Sequence, residues 1–293
     1  MIEQFNLVNT ITGVSLDFNM VNGPIWLESL NVGPIQGIDQ LYSTPGQDGE
    51  QLALTYLGTR SVVITAWIVN NSGASLSQQK TQLNRFCNPK QPLDIYVGMY
   101  KLTFVPGSSI QYAKERKENN EVMCKFVIMG EAYMPFWTSQ EEIESLVSYV
   151  EPLWVLPFAI PEEGMVFSVN QPTASTLITN DDLPVGCRIT FTANGGSITS
   201  PGIVCAETQE QMVVDTTLSD GDQIVIDTRL GHRKITGHTN QGSTYNGMRF
   251  LNATSNWITL QTGLNTFSFF AGSGSEFLET AIMYSPLLLE VEG

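Results

Sequence analysis

The sequence predicts a mainly β protein: an N-terminal β-sandwich-type domain carrying one α-helix, followed by a C-terminal β-sandwich or jelly roll. Three observations predict it. Apolar residues recur at a two-residue period, as in Leu52, Leu54 and Tyr56 and again in Val62, Ile64, Ala66 and Ile68, the spacing of half-buried strands. Beyond Gly164, turn residues such as Asn194-Gly195-Gly196 and Asp220-Gly221-Asp222 punctuate short apolar runs every eight to twelve residues, as in sandwiches and jelly rolls. Charged residues are only 15% of the chain, beside 25 Gly and 14 Pro, a turn-rich composition.

Taken in order, FNLV, VSLDF and IWLESLNV read as a β-meander broken by Gly13 and by Asn22-Gly23-Pro24, since Asn-Gly favours reversal. Pro45, Gly46, Asp48 and Gly49 form a dense turn, because Pro presets φ, Gly accepts positive φ and Asp bonds its own backbone. The alternating runs on either side of Gly58 are expected to pair antiparallel with each other. Asn70-Asn71-Ser72-Gly73 ends the second run, and Ser75 with Gln78 has the spacing of a capping box for a helix near 75–87. Leu76, Leu83, Phe86 and Cys87 share one side of that helix, making it a lid on the sheet. LDIYV, KLTFV, IQYAKERK and EVMCKFVIMGEAYM continue the sheet, with KERKENNE as a charged hairpin tip turning at Asn119-Asn120. Residues 1–135 thus form a first domain and 162–293 a second. Between them, 136–161 is a proline-rich connection holding a short helix capped by Thr138 or Ser139, with Ile143, Leu146 and Val147 at helical spacing.

With 293 residues the chain can bury two cores. Its net charge of −15 is concentrated in the second half and lacks the basic footprint of a sequence-specific nucleic-acid binder. A channel that lets DNA slide past tolerates such a charge. Cys87, Cys124, Cys187 and Cys205 have no CxxC spacing and read as buried free thiols, consistent with assembly in a reducing cytoplasm. The N-terminal MIEQFN does not read as a signal peptide, and no apolar run is close to spanning a bilayer, so no membrane insertion is expected.

The order Pro45-Gly46-x-Asp48-Gly49, a short strand, Gly58-x-Arg60 and the alternating Val62-x-Ile64-x-Ala66-x-Ile68 run resembles the siphophage distal tail protein (Dit) family. Pro135-Phe136-Trp137 and the proline-bounded segment from Leu156 to Pro161 resemble that family's passage between its domains. Gly221-Asp222-x-Ile224-x-Ile226-Asp227-Thr228, then Ser255-x-Trp257-x-x-Leu260-x-x-Gly263-x-Asn265, resembles its galectin- or carbohydrate-module-like second domain. The resemblance implies a structural virion protein of the tail tip, assembled in the host cytoplasm and without catalytic activity. Its first domain would form a hexameric ring, single or stacked in two. The ring would surround the DNA path and join the tail tube protein, with the tape-measure protein, to a tail-associated fibre or lysin protein and to receptor-binding proteins.

Candidate subunit-contact residues are Arg60, expected to pair with Asp48 or Glu50 across the hairpin and to be dried by a neighbouring subunit, and the basic tip Lys114, Arg116 and Lys117. Catalytic chemistry has thin support: His232 and His238 are the only histidines and no Ser or Cys lies in a nucleophile motif. Asp220, Asp222 and Asp227 lack the spacing of a calcium loop, and Asp181-Asp182 reads as a loop. No catalytic residue, metal ligand or cofactor is assigned. Trp154, Tyr245, Phe250 and Trp257 read first as packing aromatics. Tyr245 and Trp257 are the candidate glycan contacts under a rival reading, a carbohydrate-binding protein acting through its second domain. A glycoside hydrolase, the other rival, needs a facing acid pair that the sequence does not display.

Overall fold

The structure is a computed structural model that describes residues 2–20, 23–43, 45–46, 48–70, 75–146, 149–152, 168–171, 175–179 and 181–291. The expected turn at 71–73, Val147, Trp154 and the segment Leu156 to Pro161 lie outside the described residues. The chain divides into two compact units, one comprising 1–140 with 288–293 and the other 141–287.

The first unit runs β1 (Gln4–Asn9), β2 (Ser15–Asn19), β3 (Ile25–Val32), β4 (Gly37–Tyr42), β5 (Gln51–Leu57), β6 (Arg60–Val69), α1 (Leu76–Phe86), β7 (Leu93–Val97), β8 (Tyr100–Pro106), β9 (Gln111–Tyr112), β10 (Met123–Ala132) and β11 (Trp137–Ser139). One large sheet orders these strands β11-β8-β7-β1-β2-β3-β6-β10-β9. A further pairing of β8 with β10, Gly130 opposite Pro106 and Glu131 opposite Val105, curls the sheet closed around its core. Closure depends on Gly130, where a Cβ would lie 2.4 Å from the Val105 carbonyl oxygen. Closing the sheet also removes most of its free edges. Inside sit Leu7, Phe18, Val62, Ile64, Ala66, Leu93, Ile95, Phe104 and Phe126, all nearly inaccessible. Phe5 and Phe18 stack at 4.7 Å, with Phe126 edge-on to Phe18.

The helix starts as its sequence dictates. Ser75 accepts from the Gln78 backbone N–H and Gln78 reaches back to the Ser75 N–H, and Leu83 and Phe86 are buried against the sheet.

Two expectations are corrected. The runs flanking Gly58 do not pair with each other: β5 pairs with β4, whereas β6 lies between β3 and β10. Periodicity states which face of a strand is apolar, not which strand lies beside it. Here the Gly58 N–H bonds the Gln36 carbonyl and the Gly33 N–H bonds the Ser61 carbonyl, so the chain leaves the sheet after β3 and re-enters it at β6. Nor do the described residues after Thr138 form the expected helix. Trp137–Ser139 is β11, and Ile143–Leu146 is a strand paired antiparallel with Leu278–Tyr284. An open strand edge supplied hydrogen bonds that overrode a weak helical pattern.

The second unit is a two-sheet sandwich. One sheet orders Ile143–Leu146, Leu278–Tyr284, Arg188–Ala193, Gln223–Asp227, Lys234–His238 and Thr244–Asn246; the other orders Ser175–Thr179, Gly263–Phe270, Gly202–Cys205 and Gln211–Val213. Alternate residues of both, including Ile189, Phe191, Ile224 and Ile282 from the first and Ile203, Met212 and Phe267 from the second, form one buried core. All four cysteines are buried free thiols. Burial pushes the Cys87 and Cys187 thiols up to about 12.

Candidate assembly surface

The excursion between β3 and β6 is the most unusual surface of the first unit. Among the described residues β4 and β5 form a two-stranded sheet with no third strand, and every residue of both is exposed. Ile38 lies opposite Tyr56 and Leu41 opposite Leu52, with a register shift between Gln40 and Leu41. Because Ile38 and Leu41 are three apart on one strand, the two pairs point to opposite faces of the arm. Leu52 and Leu54 are 59% and 56% exposed, so the arm is apolar on both faces and buried on neither. Polar contacts within it include Thr55 donating to Asp39 at 2.7 Å and the Tyr42 hydroxyl bonding Gln51. Asp48 and Glu50 are exposed near its turn. The sequence read Leu52, Leu54 and Tyr56 as a half-buried face. What separates them from the β6 face is the absence of a buried neighbour, which only pairing reveals.

Arg60 does not pair with Asp48 or Glu50. Its guanidinium is buried inside the first unit, where Nε donates to the Gly33 carbonyl at 2.8 Å. Nη1 donates to the carbonyls of Leu289 at 2.8 Å and Pro135 at 3.2 Å, and Nη2 to Glu290 at 2.6 Å. A buried cation at the start of a strand needed a partner, as expected, but three carbonyls and the C-terminal tail supply it. Leu288 and Val291 pack on the same core. No surface of Arg60 remains for a neighbouring subunit.

Lys114, Arg116 and Lys117 are exposed in the turn before β10. Asn119 shapes that turn by donating to the Ala113 carbonyl, and the Asn120 side chain accepts from the N–H groups of Val122 and Met123. Nearby, Lys125 pairs with Glu28 at 2.8 Å, and Glu28 also accepts from the Trp67 indole at 2.6 Å. The Lys125 bond holds the Glu28 carboxyl below its ordinary range against the effect of burial.

An apolar groove of about 440 Å³ opens beside α1, lined by Val14, Leu16, Pro24, Ile25, Ile68, Leu83 and Phe86 with Thr12, Gln79, Gln82 and Arg85. It lies in the first unit, as the arm does.

In the second unit, Tyr245 is half-buried, closing over Gly237, where an added Cβ would meet its ring at 2.0 Å, and lying edge-on to Phe250. Trp257 is half-buried with the Arg233 guanidinium 5.4 Å from its ring centre. Asp220 and Asp222 serve the turns, accepting from the N–H groups of Gly195, Ser219 and Asn240. Asp227 is buried and held by Arg229 through two bonds of 2.9 and 2.7 Å. Burial works to raise its carboxyl, and the Arg229 bonds outweigh burial and leave it low. His232 is exposed and His238 half-buried. Among the described residues, no group of three or more His, Cys, Asp or Glu is arranged to hold a metal ion, and no helix is long and apolar enough to cross a membrane.

Two family models match the chain: a phage tail protein RIFT-related domain over residues 21–128 and the C-terminal domain of the siphovirus-type tail component over residues 180–286. Among solved structures, the crystal structure of the Dit protein of phage SPP1, described as a paradigm of the hub adsorption apparatus in phages infecting Gram-positive bacteria, aligns with a TM-score of 0.66. The identity is 12%, over 97% of this chain and 98% of that one. A chain of the phage P2 baseplate in its activated conformation with Ca aligns with a TM-score of 0.49 at 10% identity, over 97% and 98%. Comparison with curated proteins gave no match. Both halves of the chain are thus those of a structural component of a phage tail. The chain belongs to the siphophage distal tail protein (Dit) family.

Proposed function

We propose that this chain is the distal hub of a long-tailed phage tail, six copies closing a ring around the DNA path, without catalytic activity. The ring joins the tail tube above, where the tape-measure protein ends, to fibre, lysin or receptor-binding proteins below, at the tip of the virion. Family membership supports the hub role. The observation that carries the assembly is the β4–β5 arm, apolar on both faces and unburied in a single chain. A lone two-stranded hairpin is marginal in water, and an exposed apolar patch of this kind marks a protein contact.

Light scattering on the full chain tests the reading. The expected mass is six times 32.3 kDa, or twelve times for two stacked rings. A mass of 32.3 kDa at every concentration up to high micromolar overturns the ring.

A further inference from the structure

We infer that in the assembly the β4–β5 arm of one copy seats in the apolar groove beside α1 of the next copy. The inference rests on the ring reading above and names its contact. Both halves of that contact are on one chain, and no described arm residue lines the chain's own groove. One face of the arm offers Ile38, Leu54 and Tyr56; the groove offers Val14, Leu16, Ile25 and Phe86. Their charges are complementary. Residues 37–57 carry Asp39, Asp48 and Glu50 and no cation, and Arg85 is the one charged residue among the described residues that line the groove. Because arm and groove are different patches, the contact is head-to-tail, the type that generates a closed ring when the rotation between copies closes. It also shields the free edges of β4 and β5, which otherwise invite uncontrolled strand pairing.

Cysteine trapping in the full chain tests this. Leu54→Cys and Gln82→Cys both fall at exposed positions, and the four native thiols are buried. The two variants are mixed and oxidised in air, and in parallel the masses of the unmodified chain and of the mixture are measured by light scattering. The expected result is a mixed Leu54→Cys/Gln82→Cys disulfide dimer as the dominant product, in excess over either variant linked to itself. Arg85→Glu is expected to lower the assembled fraction, and adding Glu50→Arg to restore it. Assembly to full mass with no mixed dimer overturns the arm-in-groove contact and leaves the ring standing. Monomeric mass with no mixed dimer overturns both.

Discussion

The Arg60 guanidinium and the Glu290 carboxylate are 2.6 Å apart across 230 residues of sequence, the first side chain inaccessible to solvent and the second 69% exposed. The pair is therefore asymmetric. Removing the carboxylate removes an exposed partner, whereas removing the guanidinium leaves the carbonyls of Gly33, Pro135 and Leu289 without their donor.

Arg60→Met is accordingly expected to destabilise the first unit by about 3 kcal/mol or more, from unsatisfied buried acceptors and a poorly filled site. Glu290→Gln should cost at most about 1 kcal/mol, the value of a pair open to water on one side. Urea unfolding of both variants decides it. Equal losses below about 1 kcal/mol would show that the C-terminal tail is not held by Arg60.

Asp181 is buried, with Oδ1 accepting from the Leu287 N–H and Oδ2 without a partner among the described residues. Burial, helped by the neighbouring Asp182 charge and opposed by the Leu287 bond, raises its carboxyl from 3.8 to about 6. The folded state then holds a proton that the unfolded state has lost between those values, so stability falls as pH rises from about 4 to 6 and stays lower above. The loss is at most about 3 kcal/mol. Thermal melts of the unmodified chain and of Asp181→Asn between pH 4 and 7 check the sign. The variant should melt later than the unmodified chain at pH 7, and the gap should close toward pH 4. A gap that is constant with pH would exclude Asp181 as its source.

Gly130→Ala tests the closure of the first unit. The new Cβ would lie 2.4 Å from the Val105 carbonyl oxygen and 3.0 Å from Pro106 Cα, both backbone atoms that cannot rotate away. We expect a loss of about 1–3 kcal/mol or more, the cost of overpacking, with amide exchange accelerated first in β8 and β10. Unchanged exchange there would mean that the β8–β10 pairing does not limit opening.

The division of the chain predicts a separable second unit. Residues 141–287 contain a complete core and the strand Ile143–Leu146 with its partner Leu278–Tyr284. Expressed alone they should melt cooperatively with strand-type circular dichroism. A chain of residues 162–293 lacks that strand and the Glu142 carboxylate that bonds Arg188 at 3.0 Å, and should melt earlier. Equal melting of the two would place the boundary after the strand.

Local chemistry was legible in the sequence. Ser75 and Gln78 announced the helix start, and the alternation from Val62 to Ile68 announced a strand with one buried face. The order of turns in the second half announced a β-sandwich, because capping, pleat and turn geometry act over a few residues. The family was legible for the same reason, in motifs a few residues long. Pairing was not. Leu52, Leu54 and Tyr56 carry the same two-residue period as Val62, Ile64 and Ala66, yet the first set lies in a solvent-exposed arm and the second is sealed between β3 and β10. Arg60 declared its need of a partner and concealed its identity, since Leu289 and Glu290 reach it only after the whole second unit has been traversed. Which strand lies beside which, and which groups meet a buried charge, depend on contacts between residues far apart in the chain. Burial is shared among all elements that pack together, so only the assembled fold decides them.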